Sequence, residues 1–288
     1  MKIVGFHNGL GNQMFQFAFY LSLKHKYSNE IFKVDKSWFD VNKVHNGFEL
    51  DKIFKLDLDY STSQENIILF GGYNVFARAK RKYLFIKKTE LIESIDQQFH
   101  FFPDLYGKEG EDYYYLGFWQ SYRYFELVSE SVKNCFIFPD LTESKNMHIH
   151  SLIKSVRGRT VAVHVRRGDY LNNKSLIEAC SLDYYKKAIA KIERVVKDPI
   201  YIIFSNDMNW CKSNFEFTNV EYVDWNEGKL AFRDMQLMSL CDNNIIANST
   251  FSWWGAYLNR NKNKTVLAPR YWINGKAKDL IPDDWIRL

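Results

Sequence analysis

The carboxyl-terminal half of this chain predicts an α/β fold on a parallel sheet with helices on both faces, and three observations predict it. Apolar, β-branched or aromatic runs recur at 160–165, 200–204 and 220–223. Segments with helical spacing of apolar residues lie between them. The connections are short, so strand and helix alternate, and that order builds a parallel sheet.

Each element follows from its own residues. Lys2–Phe6 reads as a strand, followed by a glycine-bearing loop and an amphipathic helix from about Gln13 to His25. The middle is less regular, and its basic run at 78–82 reads as a solvated face. Thr160–Val165 suits a buried strand. Ser181 is placed to cap a helix running through Val196, with Leu182, Tyr185, Ile189 and Ile192 on one face. Pro199 punctuates before the strand Ile200–Phe204, and a short helix near Asn209–Phe215 leads to the strand Val220–Val223. The helix Lys229–Cys241, the strand Asn244–Ala247, the helix Ser252–Asn259 and the strand Lys264–Ala268 complete the series, which Pro269 ends.

Composition narrows the function classes. The chain has 288 residues, 46% hydrophobic and 25% charged, which is globular and excludes disorder as the main state. A net charge of +5 is too mild for a dedicated nucleic-acid surface, but it suits an anionic ligand or an anionic membrane nearby. The cysteines at 135, 180, 211 and 241 lack metal or disulfide spacing and read as buried thiols of a reducing compartment. No apolar run is long enough to span a bilayer. A cytoplasmic location follows, compatible with peripheral contact at the inner face of a bacterial plasma membrane.

Parallel sheets take ligands beyond the carboxyl ends of their strands. Three segments fall on that rim: His164 to Asp169, Ser205 to Asp207, and Asn248 to Ser252. In Val163-His-Val-Arg-Arg-Gly-Asp-Tyr170 a permanent guanidinium fork can hold phosphate oxygens. Strand side chains alternate, so the two arginines point apart. Arg166 is favoured for phosphates, while Arg167 is held by Asp169 or reaches a sugar. The structural alternative is an Arg–Asp clamp that only secures the loop. In Ala247-Asn-Ser-Thr-Phe-Ser-Trp-Trp-Gly255, small hydroxyl residues open a helix, which makes an anion site, simple capping, or both. Trp253 and Trp254 read as core anchors.

The opening loop, Gly5 to Gln16, resembles a phosphate cradle only superficially, with Gly9 and Gly11 permitting a tight turn. Asp207 follows a strand on the rim and could accept hydrogen bonds from a nucleobase or ribose. Asp234 lies in a helical pattern beside Arg233, where an ion pair is the plain alternative. No clustered histidines and no D-x-D triplet in a rim position are present, so a metal site is not expected.

Gly9-Leu-Gly-Asn-Gln-Met-Phe-Gln16, His164-Val-Arg-Arg-Gly-Asp169, Phe204-Ser-Asn-Asp207 and Asn248-Ser-Thr-Phe-Ser-Trp-Trp-Gly255, taken in order, resemble the α-1,2-fucosyltransferases of glycosyltransferase family eleven. The resemblance spans nearly the whole chain. It implies a GT-B-like α/β fold of two Rossmann-like domains flanking a cleft, divided as 1–155 on the acceptor side and 156–288 for the donor. It implies GDP-β-L-fucose as donor, a terminal β-galactoside as acceptor, inverting transfer and no metal or other cofactor. A lipid-linked acceptor of O-antigen type is compatible with it. By similarity Arg166 binds the diphosphate, His164 and Arg167 shape the pocket, and Asp234 meets guanine. Ser249, Thr250, Phe251 and Ser252 line the phosphates, and Gly11, Asn12 and Gln13 face the same cleft. Asp169 and His7 are the candidate bases, although late proton removal from an oxocarbenium-like centre needs no strong base. A GDP-mannose donor or another linkage, and a glycan-binding protein without catalysis, are the rival readings.

Overall fold

The computed structural model describes residues 1–73, 89–94, 96–168, 170, 176, 180–273 and 278–288. The basic run at 78–82 and Asp169 lie outside them. Two compact units divide the chain: Met1–Ile137 with Lys278–Leu280, and Phe138–Ala277 with Ile281–Leu288. Each holds a parallel sheet, the α/β architecture of GT-B type that the motifs imply.

The first unit begins with β1 (Lys2–Gly5), α1 (Leu10–Lys26) and β2 (Phe32–Asp35), then α2 (Trp38–Val41), α3 (Leu50–Phe54) and α4 (Ser63–Leu69). The strands β3 (Glu90–Ile92) and β4 (Tyr113–Leu116) and the helix α5 (Ser129–Cys135) follow. The sheet order is β2-β1-β4-β3, and every pairing is parallel. Helix α1 starts earlier than its periodicity predicts, directly after a turn made by Asn8 at φ 64° rather than by a glycine. Asparagine tolerates this left-handed conformation better than most residues. Strand β4 escapes a pattern reading because Tyr113, Tyr114 and Tyr115 are all buried, so no apolar–polar alternation exists. Their hydroxyls still find partners: Tyr114 donates to Asp35 Oδ2 at 2.6 Å and Tyr115 to the Tyr106 carbonyl at 2.7 Å.

The second unit runs α6 (Ser144–Ser155), β5 (Thr160–Val165), α7 (Leu182–Ile192), β6 (Ile200–Ser205), α8 (Met208–Asn214), β7 (Val220–Val223). It continues with α9 (Phe232–Leu240), β8 (Asn243–Ile245), α10 (Thr250–Leu258), β9 (Val266–Ala268) and β10 (Ile286–Arg287). The unit begins before the expected boundary at 155/156 because α6 buries Ile149 and Ile153 against Ala162, Ile202 and Leu237 of this sheet. The expected alternation of strand and helix is present. Ser181 caps α7, accepting from the Tyr184 amide at 3.3 Å. Strand β10 was not expected, because two residues after an irregular stretch carry no periodic signal; Ile286 pairs with Leu267 of β9.

The order β10-β9-β8-β5-β6-β7 is parallel throughout. Both faces are covered. Val161, Val163 and Val165 of β5 pack with Tyr184, Tyr185 and Ala188 of α7, while Ala162 packs with α6 and α9. Helices α9 and α10 approach closely at Gly255, where an added Cβ would lie 2.9 Å from Met238 Cβ. Trp253 and Trp254 beside it are fully buried, as expected of core anchors. Cys180, Cys211 and Cys241 are buried free thiols. Among the described residues no helix is long and apolar enough to cross a membrane.

The helix contact yields a stability test. Gly255→Ala should destabilise the protein by about 1–3 kcal/mol, because Met238 Cβ is anchored to a helix backbone and cannot swing aside. Thermal melts should show a lowered midpoint; an unchanged midpoint would mean the two helices separate freely.

Candidate functional site

Alternation along β5 sorts the rim. Odd positions 161, 163 and 165 face α7 and α8, and even positions face α6, α9 and α10. His164 follows the even set: its ring lies 6.0 Å from that of Phe251 in the first turn of α10. Arg166 continues that side beyond the strand end, half-buried, with its guanidinium 5.6 Å from the Tyr170 ring. His164 is 7% exposed, and among the described residues its Nδ1 has no hydrogen-bond partner. Burial first, and the Arg166 charge second, lower its pKa to about 3, so the ring is neutral at working pH.

Arg167 turns to the opposite side, as alternation requires. Its guanidinium stacks 4.3 Å from the Trp210 ring, its Nε meets Asp207 Oδ2 at 3.3 Å, and its amide donates to Asn206 Oδ1 at 2.9 Å. Asp207 is therefore engaged twice, because its Oδ1 also accepts from the Trp210 amide at 3.1 Å as the cap of α8. It holds an arginine and a helix start, an arrangement that its place after a strand did not reveal. Asn206 lies within the Ser205–Asp207 rim segment, but its part in holding Arg167 is set by tertiary packing, as is that of Trp210.

The connection from β8 to α10 supplies the other wall of the rim. The sheet order reverses between β5 and β8, the switch point at which such sheets bind ligands. Ser249 caps α10, its Oγ accepting from the Phe251 amide at 3.4 Å. Ser252 donates back to the Ser249 carbonyl at 3.3 Å. Thr250 is partly exposed, with no side-chain partner among the described residues. Asn248, almost fully buried, ties the connection down by donating to the carbonyls of Trp272 and Leu176, each at 3.0 Å. The exposed amides of a helix start favour an anion here.

Asp234 sits in the first turn of α9, and that end of the helix lies at the carboxyl edge because it follows a parallel strand. The ion pair with Arg233 does not form. Arg233 instead meets Glu143 Oε2 at 3.1 Å and the carbonyls of Pro139 and Asp140. Asp234 Oδ1 accepts from Asn226 Nδ2 at 2.8 Å, and Asn226 exchanges amide hydrogen bonds of 2.9 Å with the buried Asn146. Burial raises the Asp234 pKa to about 7, against the Asn226 hydrogen bond that lowers it. Nothing in a lone sequence marked Asn146 and Asn226, which are far apart in the chain and join only through tertiary packing.

In the first unit His7 is 8% exposed and fully committed. Its Nδ1 lies 2.8 Å from Asn8 Nδ2, which can only donate, so Nδ1 accepts and Nε2 carries the proton given to the Gly117 carbonyl at 3.1 Å. Burial lowers its pKa to about 4, although the Gly117 bond opposes this. As held, it offers no nitrogen to a substrate proton. Gly11, Asn12 and Gln13 belong to the first turn of α1 rather than to a loop. Gln13 is buried, donating to the carbonyls of Asn8 and Gly47 and accepting from the Glu49 amide at 3.0 Å. Only Asn12 of this trio offers a partly exposed polar side chain. Among the described residues no group of three His, Cys, Asp or Glu is placed to hold a metal ion.

The model of Glycosyl transferase family 11 matches residues 2–286. The chain is 33% identical to the O-antigen biosynthesis glycosyltransferase WbnK of Escherichia coli, over 97% of this chain and 98% of that protein. It is 31% identical to an alpha-1,2-colitosyltransferase of Escherichia coli, over 97% and 96% of the two. A galactoside alpha-(1,2)-fucosyltransferase 1 of Rattus norvegicus is 31% identical over 49% of this chain and 40% of its own length. Among solved structures, fucosyltransferase NodZ from Bradyrhizobium superposes with a TM-score of 0.50 at 16% identity, covering 88% of this chain and 92% of that one.

The Asp234 environment predicts a pH signature. The carboxyl holds its proton more tightly folded than unfolded, so its contribution favours the fold below about pH 4 and is lost as pH rises through 7. Asp234→Asn should therefore melt higher than the parent at pH 8, with the gain vanishing near pH 4. Equal midpoints at pH 8 would refute the buried charge.

Proposed function

The chain belongs to glycosyl transferase family 11, and on that premise we propose that it transfers L-fucose from GDP-fucose to the 2-hydroxyl of a terminal β-galactoside, with inversion and without a metal. One observation supports the donor half: Arg166 directly follows β5, and its charge acts on His164, whose ring lies 6.0 Å from that of Phe251 in α10. A fixed guanidinium and a helix start then converge at one switch point, which suits a diphosphate. Asp234 serves the guanine, its carboxylate accepting from the N1 and 2-amino hydrogens, while Asn226 and Asn146 hold it in place. Arg167, clamped by Asp207 and Trp210, shapes the pocket wall.

In the reaction the acceptor oxygen attacks the anomeric carbon from the face opposite GDP. The bond to the diphosphate breaks, its electron pair leaves with GDP, and Arg166 with the α10 amides stabilises that charge. We assign the hydroxyl proton to Asp169, since His7 is spent on Gly117 and Asn8. A second donor has specific support: one relative of near full length is named for colitosyl transfer, and colitose is fucose without its 3-hydroxyl. The O-antigen name of another relative favours a surface-glycan acceptor, lipid-linked and met at the cytoplasmic membrane face.

Incubation with GDP-fucose or GDP-colitose and several β-galactosides, with NMR of the product, tests the reading; any linkage other than α-1,2 would reject it. Arg166→Ala should lower kcat by about 10²–10³, while EDTA leaves the parent unchanged. Near-normal turnover in that variant, or loss of activity with EDTA, would refute a metal-free site centred on Arg166. GDP should also bind roughly ten- to a hundredfold tighter than IDP, which lacks the 2-amino group. Because only ionised Asp234 accepts both hydrogens, GDP affinity should rise as pH passes upward through 7. Equal GDP and IDP affinities would remove Asp234 from the base pocket.

A further inference from the structure

The first unit repeats the topological device of the second with different chemistry. Its chain leaves β1 for β2 on one side and fills the other side with β3 and β4, so the order reverses between β1 and β4. Side chains from just beyond both strands meet there. His7 donates to the Gly117 carbonyl, and Gln120 Nε2 donates to Asn12 Oδ1 at 2.6 Å. Asn8, Asn12 and Gln120 bring carboxamides to this edge, and the buried Glu93 carboxylate accepts from the Phe118 and Trp119 amides at 2.7 and 3.1 Å. Lys36, which follows β2, lies over the Tyr60 ring at 4.0 Å. The β5 edge carries two arginines, whereas the carboxamides here are neutral groups that both donate and accept. Neutral amides suit hydroxyl groups rather than phosphates.

Two further observations point to a ligand. Gln120 is 6% exposed and spends its Nε2 on Asn12. Among the described residues its Oε1 and the Asn12 Nδ2 have no partner, so an acceptor and a donor stand side by side. Phe118, two residues before Gln120, and Trp38 pack against the buried His7 ring at centroid distances of 4.7 and 6.0 Å, and both stay partly exposed. His7 thus props two aromatic rings whose apolar surface suits the C–H face of a pyranose.

We propose that the carboxyl edge between β1 and β4 is a sugar subsite for the acceptor, with Trp38 and Phe118 as its platform and the Asn12–Gln120 pair reading its hydroxyl groups. The inference rests on the reading of the chain as a glycosyltransferase with a neutral glycoside acceptor. It moves Asn12 from the donor to the acceptor and adds three residues that no motif named. His7 acts as a positioning residue beneath the platform.

The test varies methyl β-D-galactoside at saturating GDP-fucose and measures GDP binding by calorimetry on the same full-length proteins. Trp38→Ala should raise the galactoside KM about tenfold or more, with GDP affinity held within about twofold and Trp38→Phe restoring most of the loss. Gln120→Ala should raise the same KM. Weakened GDP binding with an unchanged galactoside KM would give this edge to the donor and overturn the proposal. Failure of the wild-type protein to use GDP-fucose at all would reject the proposed function by itself. In that case saturation-transfer NMR of methyl β-D-galactoside decides: signal lost in Trp38→Ala supports the subsite, and equal signals, or none with the wild type, overturn it.

Discussion

The geometry of the β5 edge depends on one constraint, the two-residue alternation of side chains along that strand. Because odd residues are apolar and packed under α7, the even residues must face α6, α9 and α10. Adjacent arginines placed just past such a strand are therefore separated to opposite sides. Arg167 meets Asp207 and Trp210 and becomes part of the frame. Arg166 lies over the Tyr170 ring, and its charge acts on His164. A one-residue slip of β5 would exchange these roles and carry His164 away from Phe251 as well.

The two units show one topology used for two kinds of chemistry. Each sheet is parallel, and each reverses its strand order beside its first strand. Loops at such a point diverge and leave a crevice whatever the sequence. The groups at the two edges differ: guanidinium, hydroxyl and helix amides in the second unit, carboxamides, aromatic rings and the Glu93 carboxylate in the first. Permanent charge suits an anionic ligand, and paired neutral amides suit a polyhydroxylated one.

Several side chains took on their parts only through packing. Asp207 looked available to a nucleoside, yet a cap and an ion pair occupy both its oxygens. His7 looked like a base because imidazole titrates near neutrality, but burial between Gly117, Asn8, Trp38 and Phe118 depresses that titration and occupies both nitrogens. Asp234 moved the other way. Its neighbour Arg233 turns toward Pro139, Asp140 and Glu143, and burial raises the Asp234 pKa although the Asn226 amide opposes the rise. In each case the residue type was visible in the chain, and what it would meet was settled by burial and packing.

The amino-acid order by itself determined the strand–helix alternation of the second unit, the capping of α7 by Ser181, the burial of Trp253 and Trp254, and the set of motifs that marks the family. These are local properties, carried by periodicity, capping chemistry and short contiguous segments. Tertiary structure alone decided that Asp207 and Trp210 are what hold Arg167, that Asn146 and Asn226 support Asp234, and that His7 underpins an aromatic edge. Those outcomes depend on groups far apart in the chain, brought together by burial, and local pattern holds no record of such meetings.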